Sequence, residues 1–196
     1  MWDERYSEPG FAYGSEPNDF LVSVAGRIPA GPVLCLAEGE GRNGVFLATR
    51  GHTVTAVDAS AVGLEKAAEL ARERGVTLTT RVSDLADYVI EPGAWAGIVR
   101  IWCHLPAPLR EQVHRAVVAG LRPGGVLVLE AYTPRQLAFG TGGPKATELL
   151  YTLELLQRDL DGLEWLHAVE LERDVHEGKY HTGASAVVQV LGRKPG

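Results

Sequence analysis

The chain has 196 residues, a formal net charge of −6, and a composition that is 45% hydrophobic and 22% charged. That length supports one α/β domain with a full core. No run of lysines or arginines is present, which argues against a nucleic-acid partner, since those ask for a basic stripe. The opening MWDERYSEPG is too polar and acidic for a secretory or transit leader, and no apolar run reaches the length of a membrane span. Both cysteines, Cys35 and Cys103, fall in apolar segments and read as buried free thiols, so a reducing, cytoplasmic setting is the expectation.

Taken in chain order, the first segment carries Trp2, Tyr6, Phe11, Tyr13 and Phe20. A disordered tail is poor in aromatics, so residues 1–25 read as a lid within a single domain spanning 1–196. Strands follow at Val33–Leu36 and Thr53–Val57, with a more polar one at Val76–Val82 near an edge. Gly97–Trp102 and Val126–Ala131 are again apolar and β-branched, as strands covered on both faces require. Helical patterns alternate with them: one capped by Asn43 and ending at Gly51, one opened by Ser60 and stopped at Gly75, and one carrying Leu109, Val113, Ala116 and Val117. The turn Leu121-Arg122-Pro123-Gly124-Gly125 precedes the strand at Val126. This alternation implies right-handed βαβ units and a doubly wound sheet. After Tyr132 comes a glycine-rich loop, Thr133–Pro144, long enough to be functional, then a helix over Leu149–Leu160. Two late strands, Leu163–Val175 and Ala184–Leu191, must pair as an antiparallel hairpin through HEGKYHTG.

The loop CLAEGEGRNG after the first strand contains G-x-G-x-x-G at Gly39, Gly41 and Gly44. Its place outside a strand's carboxyl end marks a ligand crevice, and Asp58, at the end of the second strand, suits the hydroxyls of an adenosine ribose. NAD and S-adenosylmethionine (SAM) both carry that ribose. Glu38 and Glu40 separate them: a carboxylate about 6 Å from a phosphate charge repels it by roughly 2–3 kcal/mol at an effective dielectric near 20, whereas the cationic sulfonium and ammonium of SAM are attracted. Glu40 can also point to solvent, where screening removes most of the effect. Asp84, in register with Asp58, suits an adenine amino group, with the Leu85 N–H beside it; the bland alternative for Asp84 is a turn or cap.

These residues resemble the class I SAM-dependent methyltransferases, over nearly the whole chain. That resemblance implies a Rossmann-like, seven-stranded, mostly parallel sheet closed by an antiparallel hairpin. Within the class, Gly39-Glu40-Gly41-Arg42-Asn43 and the leader WDERY…FAYGSEPNDFL resemble the tellurite-resistance TehB-like and thiopurine-methyltransferase-like branch. The resemblance implies that Gly39 and Gly41 contact the methionine part of SAM, that Asp58 binds the ribose, and that Asp84 and Leu85 bind adenine. The chain departs from the pattern at Cys35, where many members carry an acid, and at Ala37, where they carry glycine; Glu38 is the residue able to restore the charge.

On the acceptor side, Trp102 reads as a wall of the cofactor pocket, with Tyr6 and Tyr13 as lid contacts. His104 and Tyr132 are the candidate catalytic groups, and Cys103, Arg173, His176 and His181 the candidate substrate contacts. No spacing matches a zinc site. Finding no paired base and orienting carboxylate agrees with a thiol or other chalcogen acceptor, a small molecule that needs little more than alignment. O- or N-methylation of a metabolite and non-catalytic SAM binding stand as alternatives, with an NAD(P)-dependent oxidoreductase more distant.

Overall fold

The computed structural model describes Trp2–Gly196. Among these residues seven strands form one sheet: β1 (Pro32–Leu36), β2 (Thr53–Asp58), β3 (Thr79–Val82), β4 (Trp95–Ile101), β5 (Leu121–Tyr132), β6 (Glu164–Glu177) and β7 (His181–Arg193). Their order is β3-β2-β1-β4-β5-β7-β6. The first five run parallel, and β7 is antiparallel to both β5 and β6. The Rossmann-like sheet with its closing hairpin is therefore as the sequence implies. From β1 the chain winds outward in both directions, so the switch point lies between β1 and β4 at their carboxyl ends.

The helices are α1 (Trp2–Tyr6), α2 (Asp19–Val24), α3 (Arg42–Thr49), α4 (Ala61–Glu73), α5 (Ala107–Gly120) and α6 (Leu153–Asp159). They cover both faces of the sheet, which is why the central strands read as continuous apolar runs. Alternate residues of β1 enter opposite cores. Leu34 and Leu36 pack with Ile98, Val113, Val117 and Leu127 on one face, and Val33 and Cys35 with Phe20, Leu47, Val99 and Val128 on the other. None of the described helices is long and apolar enough to cross a membrane.

Four local expectations are corrected. Helix α3 is capped by Gly41, at φ 89°, and not by Asn43; the Asn43 side chain instead accepts the Asn18 N–H at 3.0 Å. The third strand starts only at Thr79. The turn before β5 is absorbed into the strand as a register break against Trp95 and Gly97, with Gly124 at φ 78°. The helix expected over Leu149–Leu160 breaks at Leu150 and Tyr151, which are buried, and restarts after Thr152, whose side chain caps the Leu155 N–H. Burial of the Tyr151 ring overrides the local helical pattern.

Because β6 runs the same way as β5, the tip of the β6–β7 hairpin lies at the end where β1 to β5 deliver their carboxyl termini. Tyr132 pairs with Val187, so the hairpin continues well past the end of β5 to the Glu177–His181 pair.

Candidate active site

The turn after β1 holds Ala37 at φ 53°, Gly39 at φ 58° and Gly41 at φ 89°. Between them Glu38 folds beneath the turn. Its Oε1 accepts the Gly44 N–H at 2.6 Å, and it lies beside the Cys35 thiol. Burial pushes the Glu38 carboxyl up to about 7, against the pull of the Gly44 N–H and Arg42. A carboxyl group thus stands next to Cys35, the position at which this chain lacks the acid of the pattern it resembles. Glu40 is buried too: Oε2 accepts the N–H groups of Ala12 (2.7 Å) and Tyr13 (3.4 Å), and Oε1 takes Lys66 Nζ at 3.0 Å. The solvent-facing Glu40 considered from the sequence is not what forms; it holds residues 12 and 13 of the N-terminal segment.

These contacts bear on which cofactor fits. A pyrophosphate needs the free N–H groups at a helix N-terminus, and at α3 the Gly44 N–H is already filled by the chain's own carboxylate. Asp58 is available beside it. Its Oδ2 accepts the Gly39 N–H at 2.9 Å and its Oδ1 the Ser60 N–H at 2.8 Å. Burial raises its carboxyl and those N–H groups lower it. Among the described residues no lysine or arginine pairs with it. Gly39 lies directly under Tyr6, since a Cβ there would stand 2.6 Å from Tyr6 Oη. Gly41 has a different reason to be glycine: its Cβ would meet that of Ala67 on α4 at 2.5 Å. Ser83 N–H bonds the Asp58 carbonyl at 2.9 Å, so Asp84 follows closely. The Asp84 side chain is exposed and accepts the Ala86 N–H at 2.8 Å, while Leu85 packs on the core.

Across the switch point the ends of β4, β5 and β7 build an aromatic wall. Trp102, at φ 56°, stacks on Tyr132 with ring centroids 4.3 Å apart, and His104 lies parallel to Tyr132 at 5.8 Å. His181 meets Trp102 at 5.2 Å, Tyr132 at 5.3 Å and Tyr13 at 4.7 Å. The structure thus gathers Tyr6, Tyr13, Gly39, Asp58, Trp102, His104, Tyr132 and His181 at one end of the sheet. His104 is committed there: Nδ1 donates to the Leu149 carbonyl at 2.7 Å, Nε2 accepts the Tyr132 N–H at 3.4 Å, and burial holds the ring down to about 3. Tyr132 Oη is buried without a partner, and burial pushes its phenol well above the usual range.

The remaining candidates are engaged in other contacts or exposed, with Arg173 reaching Glu177 at 3.5 Å. Cys103 is buried, with its carbonyl bonded by Arg100 (2.8 Å) and Tyr151 Oη (3.2 Å). Arg173 grips Glu130 with two bonds of 2.9 and 2.8 Å. His176 is exposed, one residue out of phase with the buried Glu177 on β6. Glu177, part of the polar run HEGKYHTG that joins the two late strands, was not set apart as a site residue. It accepts from Arg42 (2.5 Å), Asn18 (2.8 Å) and Trp102 Nε1, while Asn18 also bonds Glu130 at 2.5 Å. Burial alone would raise its carboxyl, but His181, Arg42 and Trp102 hold it well below the usual range. The stretch LERDVHE that holds it is polar and does not single it out, whereas Glu130 in VLVLEAY and Arg100 in GIVRIW are charges inside apolar strands, which require partners.

Residues 33–125, just under half of the chain, match the family model described as a methyltransferase domain. A curated relative, the 2-heptyl-1-hydroxyquinolin-4(1H)-one methyltransferase of Mycobacteroides abscessus, is 26% identical over 145 residues, covering 72% of this chain. The chain spans 64% of that relative's length. Among solved structures, one from work on the conversion of a disulfide bond into a thioacetal group during echinomycin biosynthesis superposes with a TM-score of 0.79 at 17% identity, covering 98% of this chain and 88% of that one. TehB from Haemophilus influenzae gives 0.75 at 18% identity, covering 90% and 62%. The N-methyltransferase NodS from Bradyrhizobium japonicum gives 0.69 at 14%, covering 90% and 93%. Residues 33–125 thus resemble a methyltransferase domain, and the fold as a whole is the one shared by these solved structures.

Proposed function

We propose that the chain transfers a methyl group from SAM to a small molecule. The observation that carries this reading is the Glu38 carboxylate on the Gly44 N–H, which fills the anion position at α3, while Asp58, engaged only by backbone N–H groups, keeps lone pairs for ribose hydroxyls. Gly39, Asp58, Tyr6, Tyr13 and Trp102 would hold SAM, with Glu38 shaping the turn from below; Asp84 and Leu85 would flank its adenine. Bound there, SAM supplies an already activated methyl group. The protein's part is to orient the acceptor, keep water out and accept a proton. Of the lid expected at 1–25, Met1 lies outside the described residues and 2–25 act as the lid: Glu40 fastens Ala12 and Tyr13, and the Lys179 N–H of the hairpin tip bonds the Ala12 carbonyl at 2.9 Å. A site covered in this way suits a small acceptor better than a macromolecule. The two buried free cysteines accord with a cytoplasmic setting.

For the acceptor atom we take a chalcogen bearing a proton, a thiol in the first instance, in keeping with the tellurite-resistance-like and thiopurine-methyltransferase-like resemblance. His104, with both ring nitrogens engaged, is not itself the proton acceptor, and a thiol asks for the least help from any base. A hydroxyl on a flat ring is the second reading, favoured by the stacked face of Trp102 and Tyr132 and by the relative named as a hydroxyquinolinone methyltransferase. The test is calorimetric titration with SAM and NADH, followed by mass spectrometry of products from aromatic thiols and hydroxyquinolinones. Binding of NADH without binding of SAM would overturn the cofactor; methylation of amines alone would overturn the acceptor atom.

A further inference from the structure

Resting on the methyltransferase reading, we propose that His181 is the base that takes the acceptor's proton, with Glu177 as its positioning carboxylate. The two residues face each other across the hairpin tip as a paired register, Glu177↔His181. His181 Nδ1 is buried and has no hydrogen-bond partner, and Glu177 Oε2 stands 3.9 Å away. That is ion-pair range and longer than a hydrogen bond, as catalytic pairs commonly are before the reactants are bound. A carboxylate at this position favours the tautomer with its proton on Nδ1, which leaves the Nε2 lone pair available. Nε2 makes no hydrogen bond among the described residues. The ring is clasped by Trp102, Tyr132 and Tyr13, the residues that frame the proposed acceptor position.

His104 cannot serve in this way, because its lone pair already receives the Tyr132 N–H. Glu177 remains a carboxylate, since Arg42, Asn18 and the Trp102 indole all donate to it. The groups that set the His181 charge are Glu177 on its own hairpin, Arg42 on α3, and Arg5 from the lid; burial lowers the ring's proton affinity first, Glu177 raises it, and both arginines lower it further. In the step, the acceptor's electron pair forms the new bond to the methyl carbon and the C–S⁺ pair returns to sulfur. The acceptor's proton goes to His181 Nε2, so charge balances. The acceptor class this implies is a weakly acidic X–H, a hydroxyl or thiol on a flat ring, whose proton an imidazole can take.

The test uses the full chain with 2-heptyl-1-hydroxyquinolin-4(1H)-one and an aromatic thiol as probes. His181→Gln is expected to bind SAM as the parent does while losing about 100-fold or more in kcat with the hydroxyl probe, the range for one acid–base group. It also loses the acidic limb of the pH–rate profile. Independently of any acceptor, nitrogen NMR of the imidazole is expected to show Nδ1 protonated and Nε2 bare at neutral pH, with that preference lost in Glu177→Gln. An Nε2-protonated ring, or a His181→Gln enzyme with unchanged kcat and pH profile, overturns the proposal. Failure of the parent protein to bind SAM sinks the methyltransferase reading instead, so the two failures are separable.

Discussion

At the residue scale, Glu38 and Gly41 show how one short turn serves two purposes. Glu38 is an acid whose folded pKa stands near 7 against an ordinary value of 4.5. Raised pKa means that the folded chain binds the proton more tightly than the unfolded one. Its contribution is therefore complete below about pH 4.5 and is lost as pH climbs through about 7. The loss is on the order of 3 kcal/mol. Glu38→Gln keeps an oxygen for the Gly44 N–H and removes the titration. Thermal melts from pH 4.5 to 8 should show the parent falling across that window and the variant nearly flat; parallel curves would contradict the assignment. Gly41→Ala tests the other purpose. It places a Cβ 2.5 Å from that of Ala67 at φ 89°, so it should lower stability by about 2–4 kcal/mol, measurable by denaturant titration.

At the scale of elements, the N-terminal segment is held at both edges by other parts of the chain. Glu40 receives two backbone N–H groups and Lys66 on one side. On the other, Gly178 at φ 67° leaves no room for a side chain, since a Cβ there would lie 2.5 Å from the backbone of residues 12–14. Glu40→Ala should therefore release the segment while leaving the sheet intact. Hydrogen bonds to a charged acceptor contribute about 1.5–3 kcal/mol each, so SAM affinity is expected to drop roughly 10- to 100-fold, and proteases should cut between residues 7 and 16. Unchanged affinity and cleavage would show that this segment is no lid. The aromatic spacing that suggested a lid was legible because Tyr6 and Tyr13 are out of place in a disordered tail. Its fastening was not, because Glu40 and Lys66 look like ordinary surface charges until α4 is brought beside the turn. The break at Leu150 and Tyr151 was hidden for the same reason: Tyr151 answers to Arg100 and the Leu105 N–H, both distant in sequence.

For the whole molecule, the sheet order was legible because parallel strands with covered faces announce themselves, and because two late strands with a short connection can only pair as a hairpin. The polar network of Asn18, Arg42, Glu130, Arg173 and Glu177 was not legible, since its members lie on four segments that meet only when the hairpin folds back over the sheet's end. Cofactor choice follows from the same assembly. In the proposed reading Asp58 takes the ribose while Glu38 fills the anion position, and that combination separates two ligands sharing an adenosine. A ligand that binds only the folded chain stabilises it by about 2.7 kcal/mol at one hundred times its Kd. For a chain of this size that corresponds to roughly 5–10 °C in Tm. SAM is expected to give that shift. NADH, whose pyrophosphate would have to displace Glu38 from the Gly44 N–H, is expected to give none in the parent protein. Glu38→Ala vacates the position, so a gain of NADH binding in that variant would identify Glu38 as the residue that excludes the dinucleotide. A shift by NADH in the parent as large as that by SAM would refute this account of the turn.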